Sequence, residues 1–311
     1  MIVFTTSDYF QKFVPPLLSV HPGLSEGKVA LKHVLNGELA AHVEVDVAGK
    51  TCLLIGSVAP PDKQLTGFLI IADALKRNGA RYVRAFLPYL GYTRQDTTEA
   101  GGSGGIAFVG ALFRAAGIDD VITIDIHSEL ARHRLGLPTV SLASAPLFYP
   151  TLKDIDLSDV TFVAPYEEAL PRVQALADAA GYTKPITFFK RQVATEHGYS
   201  DIVGDVTRKV ILADDMLDSG KRIVSTCERL GEKGVKEITA FMTHGLFSGE
   251  VWDQIFWLGV KALYVTDSCP EVAAQKHKEL HVIPIDPLLP SAIHQIVKRD
   301  SPGPQGRAVS A

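Results

Sequence analysis

Short apolar runs separated by stretches of helical spacing recur along the chain. Residues 51–55, 82–87 and 121–124 read as strands in the first half, and 161–164, 186–189, 210–213, 238–242 and 262–265 in the second. Each is too short for a helix and lacks polar alternation, the pattern of strands buried on both faces of a parallel sheet. Between them, residues 64–77, 106–116, 170–180 and 223–231 have the length and spacing of helices. Strands alternating with helices predict βαβ units and an α/β fold with mostly parallel sheets.

The pattern repeats once. Residues 72–86 and 227–241 both read as a helix end, a glycine where a helix cap needs one, and a strand. Leu75 and Leu230, Gly79 and Gly234, Ala85 and Ala240, and Phe86 and Phe241 fall in register. A single repeat of this length predicts a duplicated domain, not a solenoid. With Pro146 and Pro150 flanking a short apolar segment, the junction is expected near residues 142–149. The division is then 1–145, 146–300, and a Pro-, Gly- and Ser-rich tail at 301–311 that is expected to be disordered.

Composition narrows the function. The 311 residues suit two α/β domains, and 46% hydrophobic residues supply two cores. A net charge of -4 argues against general affinity for nucleic acid or an anionic membrane. No apolar run approaches a membrane span, and the N-terminus lacks an export signal, so a cytoplasmic protein is expected. Cys52, Cys227 and Cys269 are far apart with no metal spacing, which suits a reduced compartment.

One segment departs from structural economy. The strand at 210–213 runs into Asp214, Asp215, Met216, Leu217, Asp218, Ser219, Gly220, Lys221 and Arg222 before helical spacing resumes. Open α/β sheets bind ligands at such strand-to-helix loops, where free N–H groups and the helix dipole favour phosphate. Paired carboxylates can accept hydrogen bonds from two adjacent sugar hydroxyls, so the stretch reads as a sugar-phosphate cradle. A capped turn with Asp218 or Ser219 at the N-cap would explain one acid and the serine, but not both Asp214 and Asp215.

This loop resembles the phosphoribosyl-binding loop of type I phosphoribosyltransferases and of ribose-phosphate pyrophosphokinases. Other segments select the second family. Residues 86–96, ending Arg94-Gln95-Asp96, are similar to its ATP-binding segment, and Asp125-Ile126-His127 to its Asp-x-His strand end. Residues 243–249 and 265–267 look like its C-domain signatures, and Asn36-Gly37-Glu38 falls near the start in the same order. The resemblance implies two similar phosphoribosyltransferase type I-like domains. It also implies transfer of diphosphate from ATP to the anomeric hydroxyl of ribose 5-phosphate, with Mg2+ as cofactor, and a dimer-based homo-oligomer like the family's hexamers, with ATP between subunits.

Residue by residue, the resemblance assigns ATP to Arg94, Gln95, Asp96 and His127, with Asn36 and Glu38 contributed by a neighbouring subunit. His127 matches a magnesium ligand, and Asp125 a helper. Lys190 and Arg191 match the catalytic basic loop expected after the strand at 186–189, although Arg191 lies one position before the family's arginine. Asp214, Asp215, Asp218, Ser219, Gly220, Lys221 and Arg222 form the ribose-phosphate site.

Three departures keep alternatives open. Tyr166 replaces a family acid, with Glu167 and Glu168 where glycines are usual; Lys221 and Arg222 replace a Gly-Thr pair; and a segment at 97–105 with four glycines replaces a basic one. A catalytically impaired regulatory paralogue, or a diphosphokinase for a different sugar phosphate, would fit the same changes.

Overall fold

Burial turns the apolar runs into two separate sheets. The computed structural model describes residues 1–97, 102–191 and 199–300. The described residues divide into two compact units: those within 1–123, 128–142 and 286 onward, and those within 124–127 and 143–285.

The first unit contains β1 (Ile2–Thr5), α1 (Asp8–Gln11), α2 (Val14–Val20), β2 (Ser25–Glu26), β3 (Val29–His33), β4 (Leu39–Val43), β5 (Thr51–Ile55), α3 (Lys63–Arg77) and β6 (Tyr82–Leu87). It continues with α4 (Gly105–Ala115), β7 (Asp120–Ile124), α5 (Glu129–Leu135) and β8 (Thr139–Leu142). The sheet order is β2-β1-β5-β6-β7-β8, and β1, β2, β5, β6 and β7 pair in parallel. Leu53, Leu54, Val83, Phe86, Phe68 and Phe113 are buried, so α3 and α4 contribute to the same core as the strands. β3 and β4 form a separate antiparallel hairpin.

The second unit contains α6 (Ala145–Leu152), β9 (Val160–Ala164), α7 (Leu170–Ala179), β10 (Thr187–Arg191), β11 (Tyr199–Val203), β12 (Lys209–Leu217), α8 (Lys221–Glu232), β13 (Glu237–Gly245), β14 (Val260–Thr266) and β15 (Leu280–Ile283). Its order is β11-β10-β9-β12-β13-β14-β15, parallel except for the β10–β11 pair. The last helix, α9 (Leu289–Asp300), belongs to the first unit.

The repeat seen in sequence is present in backbone geometry. Helices α3 and α8 both end before a glycine at positive φ, Gly79 at 87° and Gly234 at 90°. In both, the amide two residues past the cap reaches back to the leucine carbonyl, Ala80 to Leu75 at 3.2 Å and Val235 to Leu230 at 3.0 Å. This closing bond requires a left-handed residue between them. Among the described residues no helix is long and apolar enough to cross a membrane. The expected tail at 301–311 lies outside the described residues, as do residues 98–101 of the glycine-rich segment.

Candidate active site

The acid pair lies inside a strand. Asp214 and Asp215 were expected on a loop after the strand, but β12 continues to Leu217, and Asp214 pairs with Met242 of β13. Both acids are buried, at 4% and 1% exposure. Burying two carboxylates requires partners, and this unit supplies them. The Tyr166 hydroxyl donates to Asp214 Oδ1 at 2.7 Å and lies 3.5 Å from Asp215 Oδ1. The Arg172 guanidinium, from the first turn of α7, stands 3.6 and 3.8 Å from the same two oxygens. His127 Nδ1 lies 2.6 Å from Asp215 Oδ2, and the Asp215 amide donates to Asp214 Oδ1 at 2.9 Å.

The two carboxyls titrate as a pair. Burial, then the charge of Asp215, pushes Asp214 up to about 7. Burial also opposes ionisation of Asp215, but the His127 hydrogen bond and the Arg172 charge outweigh it and hold Asp215 below the ordinary carboxylate range. The pair therefore favours a charge on Asp215 over one on Asp214. Burial works against the Arg172 charge too, and the two acids more than compensate.

A polar frame supports this pair. Asp125, at a φ of 37°, accepts the Ser144 amide at 3.1 Å, the Ser144 hydroxyl, and the Thr243 hydroxyl at 2.7 Å. His244 is buried and its charged form is disfavoured mainly by that burial. Its Nε2 faces the Ile124 carbonyl at 3.1 Å, which only accepts, so Nε2 carries the proton and Nδ1 accepts from the Ser268 hydroxyl at 2.8 Å. The segment Ile124, Asp125 and His127 is thus tied to both β12 and β13.

After Leu217 the chain turns sharply into α8. The cap is Gly220 at a φ of 77°, not Asp218 or Ser219, both of which are half-buried in the turn. A Cβ at 220 would lie 2.3 Å from Trp252 Cα, so this position takes only glycine. Lys221 and Arg222 open the helix and are exposed, with the Arg222 guanidinium 4.5 Å from the centre of the Tyr166 ring. Glu167 and Glu168 are exposed on a single 3-10 turn.

Lys190 and Arg191 differ from their expected place. They were expected beyond a strand ending at 189, but they are the last two residues of β10, where Arg191 pairs with Tyr199 of β11 and Lys190 lies at an irregularity in the register. Lys190 is exposed. Gln192 and the following residues to 198 lie outside the described residues.

The nucleotide candidates belong to the first unit, except His127. Arg94 and Gln95 are exposed beyond β6, and Asp96 accepts a hydrogen bond from Ser128. The preceding turn is fixed by Tyr92, at a φ of 65°, whose hydroxyl donates to Asp62 at 2.6 Å. Asn36 and Glu38 lie at the exposed tip of the β3–β4 hairpin, where Asn36 Oδ1 accepts the Glu38 amide at 3.1 Å.

Arg172, Ser144 and Thr243 carry no assignment from sequence, although each contacts the acids or their frame. For Arg172 the available signal is one arginine in the first turn of a helix whose neighbouring Val173, Leu176 and Ala177 are buried. Tyr166 is visible in sequence as a departure, but not as a partner of Asp214.

Comparison with known proteins agrees with this architecture. A family model described as the N-terminal domain of ribose phosphate pyrophosphokinase matches residues 11–117. One described as a phosphoribosyl synthetase-associated domain matches residues 174–304. The ribose-phosphate pyrophosphokinase of Bradyrhizobium diazoefficiens is 32% identical over 280 residues, 88% of each chain. That of Campylobacter jejuni is 31% identical over 288 residues, 91% of this chain and 92% of its own. The fold is that of a crystal structure of phosphoribosylpyrophosphate synthetase from Mycobacterium smegmatis, at a TM-score of 0.84 and 24% identity over 96% of this chain and 99% of that one. The chain belongs to the ribose-phosphate pyrophosphokinase family.

Proposed function

We propose that the chain carries out its family's reaction with the acid pair of β12 reading the sugar and the head of α8 holding its phosphate. In that reaction the anomeric oxygen of ribose 5-phosphate bonds to the β-phosphorus of ATP. The bond between that phosphorus and the α–β bridging oxygen breaks, AMP leaves, and the hydroxyl proton is lost. Such transfers depend on positioning and charge neutralisation more than on covalent help from the protein.

One observation carries the site assignment. Gly220, locked against Trp252, opens a 12-residue helix one turn beyond a buried acid pair. Ser219, Lys221 and Arg222 surround the helix amides, which suits a dianionic phosphate. Asp215, held ionised, is the stronger acceptor for a ring hydroxyl, and Asp218 lines the turn. Lys190, with Arg191, neutralises charge on the transferring group. Arg94, Gln95 and Asp96 hold ATP, and Asn36 and Glu38 complete that site from a second copy of the chain. This makes a dimer-based homo-oligomer the active form.

His127 suits magnesium in one respect. Its Nδ1 is committed to a buried carboxylate, as in metal-binding histidines, which leaves Nε2 to coordinate. Among the described residues no group of three or more His, Cys, Asp or Glu side chains could hold a metal ion. Most of the magnesium coordination would therefore come from nucleotide oxygens and water. Bound there, the ion would supply charge neutralisation on the phosphates.

The engagement of both acids by Tyr166 and Arg172 favours a second reading, an impaired regulatory paralogue. AMP release by purified protein given MgATP and a panel of pentose phosphates decides between them. Turnover with ribose 5-phosphate is the expected result. Turnover with another pentose phosphate alone would change the substrate, and inactivity with every sugar in an intact oligomer would establish the paralogue.

A further inference from the structure

Tyr166 joins two parts of the sugar site. At one end its hydroxyl is 2.7 Å from Asp214 Oδ1 and 3.5 Å from Asp215 Oδ1. At the other, the Arg222 guanidinium covers its ring at 4.5 Å. A phenol donating to a carboxyl oxygen makes the contact that a sugar hydroxyl makes. A guanidinium on an aromatic face is the same group that pairs with phosphate in a fork.

We propose that Tyr166 is a specificity-determining residue, an internal hydroxyl that occupies Asp214 until a phosphate draws Arg222 from its ring. The site then admits the ring hydroxyls of a phosphorylated sugar and discriminates against the same sugar without phosphate. This inference rests on the reading above that the acids meet sugar hydroxyls and that the head of α8 meets phosphate.

The local structure supports a displaceable contact. Tyr166 is an extended residue, at φ -163° and ψ 166°, immediately before the 3-10 turn at Glu167–Ala169. Its side chain can therefore turn without opening a helix. The ring is buried at 7% exposure while Arg222 is exposed, so movement of the arginine uncovers one face of the ring. The phenol stays a donor across the working pH range, because burial and then the two acids oppose its ionisation. Arg172 remains beside Asp214 and Asp215 after the phenol leaves, so the acids are not left without a cation. A permanent brace would also show a hydrogen bond between Tyr166 and Asp214, but it would not respond to phosphate.

Calorimetry on the full chain separates these cases. Ribose is titrated into the wild type with and without saturating inorganic phosphate. If phosphate frees Tyr166, it raises ribose affinity by about fivefold or more, within the usual range of coupling between sites. Tyr166→Phe keeps the ring under Arg222 and removes the hydroxyl. It should bind ribose without phosphate about as tightly as the wild type does with it, and the preference for ribose 5-phosphate over ribose should fall by the same factor. The wild-type measurement stands alone if the variant folds poorly. Phosphate that leaves ribose affinity unchanged, lowers it, or leaves it undetectable would overturn the proposal. So would a Tyr166→Phe variant that weakens ribose and ribose 5-phosphate alike. Asp215→Asn tests the underlying reading separately. Undiminished ribose 5-phosphate binding there removes the acids from the sugar site. Lost binding there, with no phosphate linkage in the wild type, removes only the role of Tyr166.

Discussion

His127 and Asp215, 88 residues apart, are joined by a 2.6 Å hydrogen bond from Nδ1 to Oδ2. The bond has two consequences. It holds a buried carboxylate ionised, and it fixes the tautomer that leaves Nε2 for another ligand.

Removing the imidazole should therefore show in stability as well as in activity. In His127→Ala, Asp215 loses its strongest donor, which should cost about 1–3 kcal/mol at neutral pH. An acid whose folded pKa lies below its unfolded value of 3.8 stabilises the protein above that value and loses the contribution as pH falls through the folded pKa. The wild-type advantage should be full near pH 7 and shrink below about pH 4. Urea unfolding of both proteins across that range measures it, and a pH-independent difference would reject a linkage through Asp215.

Gly220 and Gly231 are both at the ends of α8 but should respond oppositely to alanine. At 220 the new Cβ would meet Trp252 Cα at 2.3 Å and Cβ at 2.5 Å, on a residue already at a φ of 77°. The backbone must move, at a cost of more than about 2 kcal/mol, and ribose 5-phosphate binding should be lost with the turn. At 231 nothing lies within 4 Å, and alanine should add about 0.5–1 kcal/mol from helix propensity. Thermal melts and sugar-phosphate titrations of the two variants check both signs. Equal effects would mean that the contact with Trp252 does not constrain the turn.

The strands β5 and β6 are legible in sequence at every residue because burial on both faces leaves a short run that is apolar apart from Thr51 in β5 and from Arg84 in β6, which is buried against Asp120. β12 and β13 are not, because both continue past their apolar runs into Asp214, Asp215, Thr243 and His244. Backbone pairing between the strands carries them on, and their polar side chains find partners only in three dimensions. Asp214 is stabilised by Tyr166, 48 residues earlier, and Asp215 by His127. Local pattern thus located the acids and the glycine turn but assigned the acids to a loop, since two buried carboxylates are implausible until Arg172 is in place. The return of α9 to the first unit is likewise a long-range packing event with no local signature.

Asp125 should be among the costliest polar residues to remove. Its carboxylate accepts the Ser144 amide, the Ser144 hydroxyl and the Thr243 hydroxyl, so Asp125→Ala strands buried donors on two segments. A loss of about 2–4 kcal/mol is expected. Asp125→Asn keeps one acceptor oxygen and should lose less. Chemical denaturation orders the three proteins, and an asparagine variant as unstable as the alanine one would show that charge, not hydrogen-bond count, matters there.

The three cysteines should be silent in the native state. Cys52, Cys227 and Cys269 are fully or almost fully buried, and burial pushes the first two thiols up to about 11 and about 12 and the third higher still. Thiolate is the reactive form, so a thiol reagent near pH 8 should label almost none of them in folded protein and all three in denaturant. Fast labelling of one cysteine without denaturant would reveal local opening around it.

Lys190 tests the chemistry of transfer apart from folding. It is exposed at the end of β10, so Lys190→Ala should change stability by no more than about 0.5 kcal/mol. A cation that acts on charge developing in the transition state should instead lower kcat by about 100-fold, with a much smaller change in the KM for ATP. Lys190→Arg keeps the charge but alters its reach and geometry, and should recover part of the loss. Steady-state kinetics with ribose 5-phosphate saturating gives both parameters for each variant. A rise in the KM for ATP at unchanged kcat would identify Lys190 as a ground-state nucleotide contact, and equal values in all three proteins would remove it from the site.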